Sequence, residues 1–122
     1  NRFPGVVFTV SYLSPTLAHE LLTYTWNFQN VRYSGHWWYT DIPGYIEPDL
    51  RCRLEALPRT KLIGYYSDAY YIEFTLPKFA MYRWCLARVL AEQVTMKRLT
   101  EEESLTIARC LLRDNAMEIF HL

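Results

Sequence analysis

The sequence is poor in the residues that cross-link a small secreted or zinc-bound domain. It has three cysteines, Cys52, Cys85 and Cys110, which are odd in number, lie far apart and form no CxxC pair. This spacing predicts neither a disulfide framework nor a zinc knuckle. Buried free thiols are the ordinary alternative, and we expect them here.

Long hydrophobic runs and an excess of one charge are also missing. No apolar run approaches the roughly 20 residues that a membrane span needs, and no basic start leads into an apolar signal-peptide core. Thirteen basic residues balance thirteen acidic ones, so the electrostatic field behind most non-specific nucleic-acid binding is absent. We therefore expect a cytoplasmic protein whose partners include neither a membrane nor a nucleic acid.

What the sequence does contain is apolar and aromatic material. Of 122 residues, 51% are hydrophobic and 16% aromatic, which predicts one globular segment, 1–122, with a core. The chain begins at Asn1 and enters an apolar run within a few residues. We interpret this start as the cut edge of a longer protein.

Apolar runs and helical stripes alternate along the chain. The runs at 6–13, 31–39 and 61–68 predict strands, and helices are predicted at 16–28, 49–57, 77–94 and 100–114. Asp49 is the expected cap of the second helix, and Thr100 with Glu103 forms a capping box at the last. Successive βα units imply a parallel sheet with right-handed crossovers. Because three such strands alone leave two apolar edges, the sequence predicts an α/β fold, the last part of an eight-stranded TIM-type barrel.

Two of these predicted strands end in unusual motifs. The segments Gly35-His36-Trp37-Trp38-Tyr39 and Gly64-Tyr65-Tyr66-Ser67-Asp68 resemble strands seven and eight of uronate (glucuronate) isomerases, which belong to the amidohydrolase superfamily. About 30 residues separate the motifs, as in those enzymes, and Asn115-Ala116 with Ile119-Phe120 is similar to the closing segment common in amidohydrolases. The resemblance implies that 1–122 holds strands six to eight of a (β/α)8 barrel, incomplete on its own.

The resemblance also implies a reaction, aldose–ketose isomerisation of a uronate. The expected cofactor is a divalent metal, with zinc as the expected ion, and the expected substrate is a small sugar acid. The intact parent is expected to be a homo-oligomer. The His-x-His of the first strand would lie before Asn1.

Asp68 and His36 are the candidate catalytic residues. A carboxylate at the end of an apolar strand is costly to bury unless a cation or hydrogen bonds compensate it, so Asp68 is the predicted metal ligand and proton carrier. Its ordinary alternative is a helix cap. His36 is a possible acid, base or ligand, and its alternative is a hydrogen-bonded structural histidine.

Four aromatic residues are the predicted substrate contacts: Trp37, Trp38, Tyr66 and Tyr70. On a strand Trp37 and Trp38 would point to opposite faces, so at most one would face the barrel interior, where an aromatic ring can stack on a sugar. Tyr66 and Tyr70 flank Asp68 and could hydrogen-bond a polyol or carboxylate.

Two departures from the isomerase pattern leave other functions open. Tyr70 stands where those enzymes carry an arginine that handles the acid sugar, and Pro77-Lys78-Phe79 replaces their basic and acidic helix start. Metal-dependent hydrolysis of a small polar substrate is one alternative. A non-catalytic βα fragment that binds a partner through its strand edges is the other.

Overall fold

The computed structural model describes residues 2–122, and this part of the chain is mostly helical. Two short strands, β1 (Phe8–Val10) and β2 (Val31–Tyr33), pair in parallel. The helices are α1 (Ala18–Asn27), α2 (Pro43–Ala56), α3 (Thr75–Thr95), α4 (Glu101–Arg109) and α5 (Asn115–Phe120). Short 3-10 turns precede α1, α2 and α3.

The predicted fold class, three βα units forming strands six to eight of a TIM-type barrel, is therefore wrong. Only the first two predicted strands form, and each is three residues long. The second predicted strand, 31–39, ends at Tyr33, and its aromatic end becomes the 3-10 turn Trp38–Thr40. Mostly helical packing replaces the expected sheet.

The third predicted strand, 61–68, fails because its backbone finds a different partner. Leu62 makes one parallel bridge to Tyr33, and the Ile63 N–H donates to the Tyr33 carbonyl at 2.9 Å. The next N–H, of Gly64, donates instead to the Leu111 carbonyl at 3.0 Å. Leu111 lies in a π-helical turn, Cys110–Asp114, and such turns leave carbonyls without their usual helical partners. The pairing is thus diverted from the sheet to the C-terminal helices.

The helix predictions are closer to the structure. α2 begins at Pro43 because proline suits the first turn, where no backbone N–H is needed. Asp49 consequently lies inside α2, where it is buried, and does not cap it. The capping box is confirmed, since the Glu103 N–H donates to Thr100 Oγ1 at 3.2 Å and the Thr100 N–H donates to Glu103 Oε2 at 2.8 Å.

The core lies between α2, α3, β2 and the π-helical turn. Its most buried apolar side chains are Tyr33, Ile46, Leu50, Leu62, Tyr82, Cys85, Leu86, Val89 and Leu111. Asn115 closes this core from α5, because its Nδ2 donates to the carbonyls of Arg59 and Leu62 at 2.6 and 2.7 Å. Asn115 is one of the residues that resemble the amidohydrolase closing segment, and in this structure its role is structural.

The three cysteines are unpaired, and only Cys85 is fully buried, while Cys110 is partly buried and Cys52 exposed. The expectation of buried thiols therefore holds for Cys85 alone.

Within residues 2–122, no helix combines the length and the apolar character that crossing a membrane requires.

Candidate functional site

The two motif segments meet at the end of β2. A Cβ added to Gly35 would lie 2.8 Å from Cδ1 of Tyr66 and 3.2 Å from its backbone nitrogen, so the contact needs glycine at this position. The Tyr66 hydroxyl donates to Ser11 Oγ at 2.9 Å, and Ser11 directly follows β1. Segments that are distant in the chain, from residue 11 to residue 66, are therefore brought together at one place.

Asp68 lies on the exposed side of this junction. Among residues 2–122 it makes no hydrogen bond or ion pair, but its charge helps to raise the pKa values of Asp41 and Tyr66, after burial as the main cause in both. Asp68 is therefore an accessible carboxylate close to two partly buried acidic groups. A carboxylate in such a position can supply one oxygen ligand to a cation.

Both motifs contain a residue with strained backbone. Trp38 and Asp68 have φ angles of 49° and 45°, in the left-handed region that costs a non-glycine residue about 1 kcal/mol or more. The other two such residues within 2–122, Lys97 and His121, follow α3 and α5, where this conformation ends many helices. Trp38 and Asp68 end no α-helix, and strain of this kind concentrates at functional sites.

The predicted substrate-binding aromatics are mostly exposed. Trp37, Trp38 and Tyr70 are 36%, 50% and 83% exposed, whereas Tyr66 is partly buried. The two tryptophans do not alternate across a strand, because a 3-10 turn begins at Trp38. Both rings are therefore available on the surface beside the junction.

His36 occupies a different layer, below the surface. It is 2% exposed, and its Nε2 donates to Asp49 Oδ2 at 2.8 Å. Burial, followed by the charge of Arg53, lowers the pKa of His36 to about 4. Burial would raise the pKa of Asp49, but the hydrogen bond from His36 and the charge of Arg53 lower it to about 2. The structure thus pairs His36 with Asp49 and does not place it beside the accessible carboxylate of Asp68.

Arg53 completes this buried layer and was missed by sequence reasoning. It is 1% exposed, pairs with Asp49 at 2.5 Å, and stacks 3.7 Å from the ring centre of Tyr33. Its guanidinium also donates to the carbonyls of Ser34 and Gly35 at 3.3 and 3.1 Å. The Asp49–Arg53 spacing of one helical turn was the available signal. Arg53 fixes the backbone that leads into the Trp37–Trp38 segment.

Asp41 and Lys78 are the other residues that the sequence analysis did not select. Lys78 Nζ lies 3.4 Å from Asp41 Oδ2 and donates to the Ser67 carbonyl at 2.9 Å. Burial raises the pKa of Asp41, Lys78 opposes that rise, and the charge of Asp68 adds to it. Lys78 lies in α3, whereas Asp41 and Ser67 lie in two loops. Contacts between such separate parts of the chain leave no pattern in the sequence.

The donor set of a metal site is incomplete within residues 2–122. No three His, Cys, Asp or Glu side chains gather there in a way that could hold a metal ion. Asp68 is accessible, but the neighbouring Asp41 is already paired with Lys78. These residues supply one free carboxylate, which fits a single metal ligand and not a whole coordination shell.

No protein-family model matches the chain, and no curated protein matches it significantly. The resemblance to uronate isomerases accordingly depends on the residues of the two motifs and the closing segment.

Proposed function

We propose that this chain contributes to the aldose–ketose isomerisation of a uronate, in an enzyme similar to uronate isomerases. The observation that carries the proposal is the meeting of the two motifs, which joins the accessible Asp68 carboxylate to a surface of exposed aromatic rings. Sugar recognition typically combines such rings with carboxylate and hydroxyl groups. The substrate is a small sugar acid.

Asp68 carries the proton in the proposed reaction. It removes a proton from the hydroxyl-bearing carbon next to the aldehyde and returns it to the former aldehyde carbon, while the proton of that hydroxyl passes to the aldehyde oxygen. The hydroxyl-bearing and carbonyl carbons thereby exchange roles without net oxidation. Tyr66 and Tyr70 hydrogen-bond the sugar, and Trp37 or Trp38 stacks on its ring. His36 acts indirectly in this scheme, because its contacts hold the segment that carries the tryptophans.

A divalent metal, with zinc as the proposed ion, would be held by Asp68 and by ligands that residues 2–122 do not supply. When bound, it would orient the carbonyl and hydroxyl oxygens of the sugar.

The test is turnover by the metal-loaded full-length protein. Glucuronate and galacturonate are supplied in one set of assays, and esters, amides and lactones in another, while keto-sugar and acid release are followed. We expect keto-sugar formation that Asp68→Asn removes almost entirely, since the change keeps the volume but deletes the charge. Asp114→Asn, a matched change in an acid paired with Arg109, should leave turnover intact.

The outcome of the same assay decides between the proposal and its rivals. Hydrolysis of the esters, amides or lactones without uronate conversion would refute isomerisation and favour a hydrolase that uses Asp68. An Asp68→Asn variant with full turnover would refute the assigned site. Inactivity in every assay would favour the interaction-fragment alternative, which the exposed apolar residues of β1, Phe8 and Val10, support.

A further inference from the structure

Lys78 connects three parts of the molecule at the candidate site. It lies in the first turns of α3, its Nζ is 3.4 Å from Asp41 Oδ2, and it donates to the Ser67 carbonyl at 2.9 Å. The Asp41 side chain is 5% exposed and that of Lys78 is 33% exposed. The Asp41 carboxylate is nearly excluded from solvent, so salt screens its attraction to Lys78 only weakly.

Both partners of Lys78 are adjacent to the proposed functional residues. Asp41 directly follows the 3-10 turn Trp38–Thr40. Ser67 directly precedes Asp68, whose φ of 45° is a conformation that persists only where neighbouring contacts hold it. The carbonyl that Lys78 binds belongs to the peptide group that leads into this strained residue.

We propose that Lys78 is a positioning residue for the proposed reaction, because it ties the Asp68 loop to the Trp37–Trp38 segment through the Ser67 carbonyl and Asp41. This inference depends on the proposed function for its catalytic consequence. The link between the two loops is a separate claim that can be measured without any substrate.

A direct contact between Lys78 and the substrate carboxylate is the competing role. It is the weaker interpretation, since the charge of Lys78 is already opposed by Asp41 and one of its three N–H groups donates to the Ser67 carbonyl. The two roles predict different kinetics. A positioning residue affects kcat, whereas a residue that only binds the sugar acid affects KM.

The experiment compares Lys78→Met, Lys78→Arg and Asp41→Asn with the wild-type full-length protein. Lys97→Met is the matched control, because it removes one positive charge just beyond the other end of α3. Circular dichroism establishes whether each variant is folded. If Lys78→Met does not fold, Lys78→Arg and Asp41→Asn provide the test. Amide hydrogen exchange is measured for 37–41 and 65–71, and turnover is measured with glucuronate.

We expect Lys78→Met to speed exchange in both segments by about tenfold, as the loss of a charge-assisted hydrogen bond predicts. Its kcat should fall by about 10- to 100-fold at nearly unchanged KM, because a small misplacement of the reacting group is costly. Asp41→Asn should show the same pattern more weakly. Lys78→Arg should recover much of both properties, since arginine can donate to both partners.

Unchanged exchange in both segments of Lys78→Met would overturn the inference, whatever its activity. A higher KM for glucuronate at unchanged kcat and exchange would also overturn it and assign Lys78 to substrate binding. If the wild-type protein converts no uronate, the proposed function fails, but faster exchange in both segments would still support the link that Lys78 makes.

Discussion

The buried pair of His36 and Asp49 makes the stability of this protein sensitive to acid. In the folded chain the pKa of His36 is lowered to about 4 by burial and by Arg53, whereas an unfolded histidine titrates near 6.5. Between these values the unfolded chain binds a proton that the folded chain does not, so the free energy of unfolding falls as the pH falls. The pKa of Asp49 is also lowered, to about 2. Below pH 4 this carboxylate therefore makes the free energy of unfolding fall further as the pH falls.

We therefore expect the free energy of unfolding to drop by about 2 kcal/mol between pH 7 and pH 4.5. Urea denaturation at the two pH values measures the change. His36→Gln should be less stable at pH 7 and lose much less on acidification, while His19→Gln, a change in an exposed histidine of α1, should behave as the wild type. Equal acid sensitivity of wild type and His36→Gln would show that another group is responsible.

Gly35 and Gly44 differ in the space that their surroundings leave for a side chain. A Cβ at Gly35 would meet Tyr66 at 2.8 Å, whereas a Cβ at Gly44, in the first turn of α2, would meet nothing within 4 Å. Gly35→Ala should destabilise the fold by about 1–3 kcal/mol through overpacking. Gly44→Ala should stabilise it by about 0.4–1 kcal/mol through the lower entropy of the unfolded chain. Chemical denaturation of the two variants provides the comparison, and a tolerated Gly35→Ala would mean that the two motifs do not pack as described.

At the scale of the secondary-structure elements, the start of α4 depends on its capping box. Thr100 and Glu103 satisfy each other's backbone N–H groups, and Glu101 and Glu102 lie in the same first turn, where acidic side chains complement the helix dipole. Thr100→Ala should cost about 1 kcal/mol. Thr106→Ala, a change at an α4 position with no part in the cap, is the control, and the two free energies of unfolding should differ clearly.

At the scale of the whole molecule, the exposed side of β1 should cause self-association. Within residues 2–122 the sheet contains only β1 and β2, so one edge of β1 is unpaired, and Phe8 and Val10 are 40% and 38% exposed. Unpaired apolar edges recruit further strands. Sedimentation of the 122-residue chain should show concentration-dependent assembly, which Val10→Lys reduces and Leu105→Lys, at an exposed position of α4, does not. A single 14.6 kDa species at all concentrations would contradict this expectation.

The sequence predicted the features that depend on neighbours along the chain. The α3 stripe, the α4 cap and the helix that follows β1 all appear close to their predicted positions, because helix periodicity and capping are local properties. Asp68 was also selected from the sequence, as a carboxylate at the end of an apolar run. That it is accessible and strained, with φ at 45°, is not visible in the sequence.

Tertiary contacts decided the rest. The apolar run 61–68 suits a strand, yet after one bridge its Gly64 N–H bonds to Leu111, about 47 residues further along the chain, and the predicted barrel segment is lost. The same kind of long-range contact brings Lys78 to Asp41 and Ser67 and buries His36 against Asp49. Local sequence determined where α4 begins, through its capping box, and it selected the candidate site residues. The tertiary fold decided which of those residues contact each other. Each backbone and side-chain group has several possible partners along the chain, and the partners that form are those that the burial of the core favours.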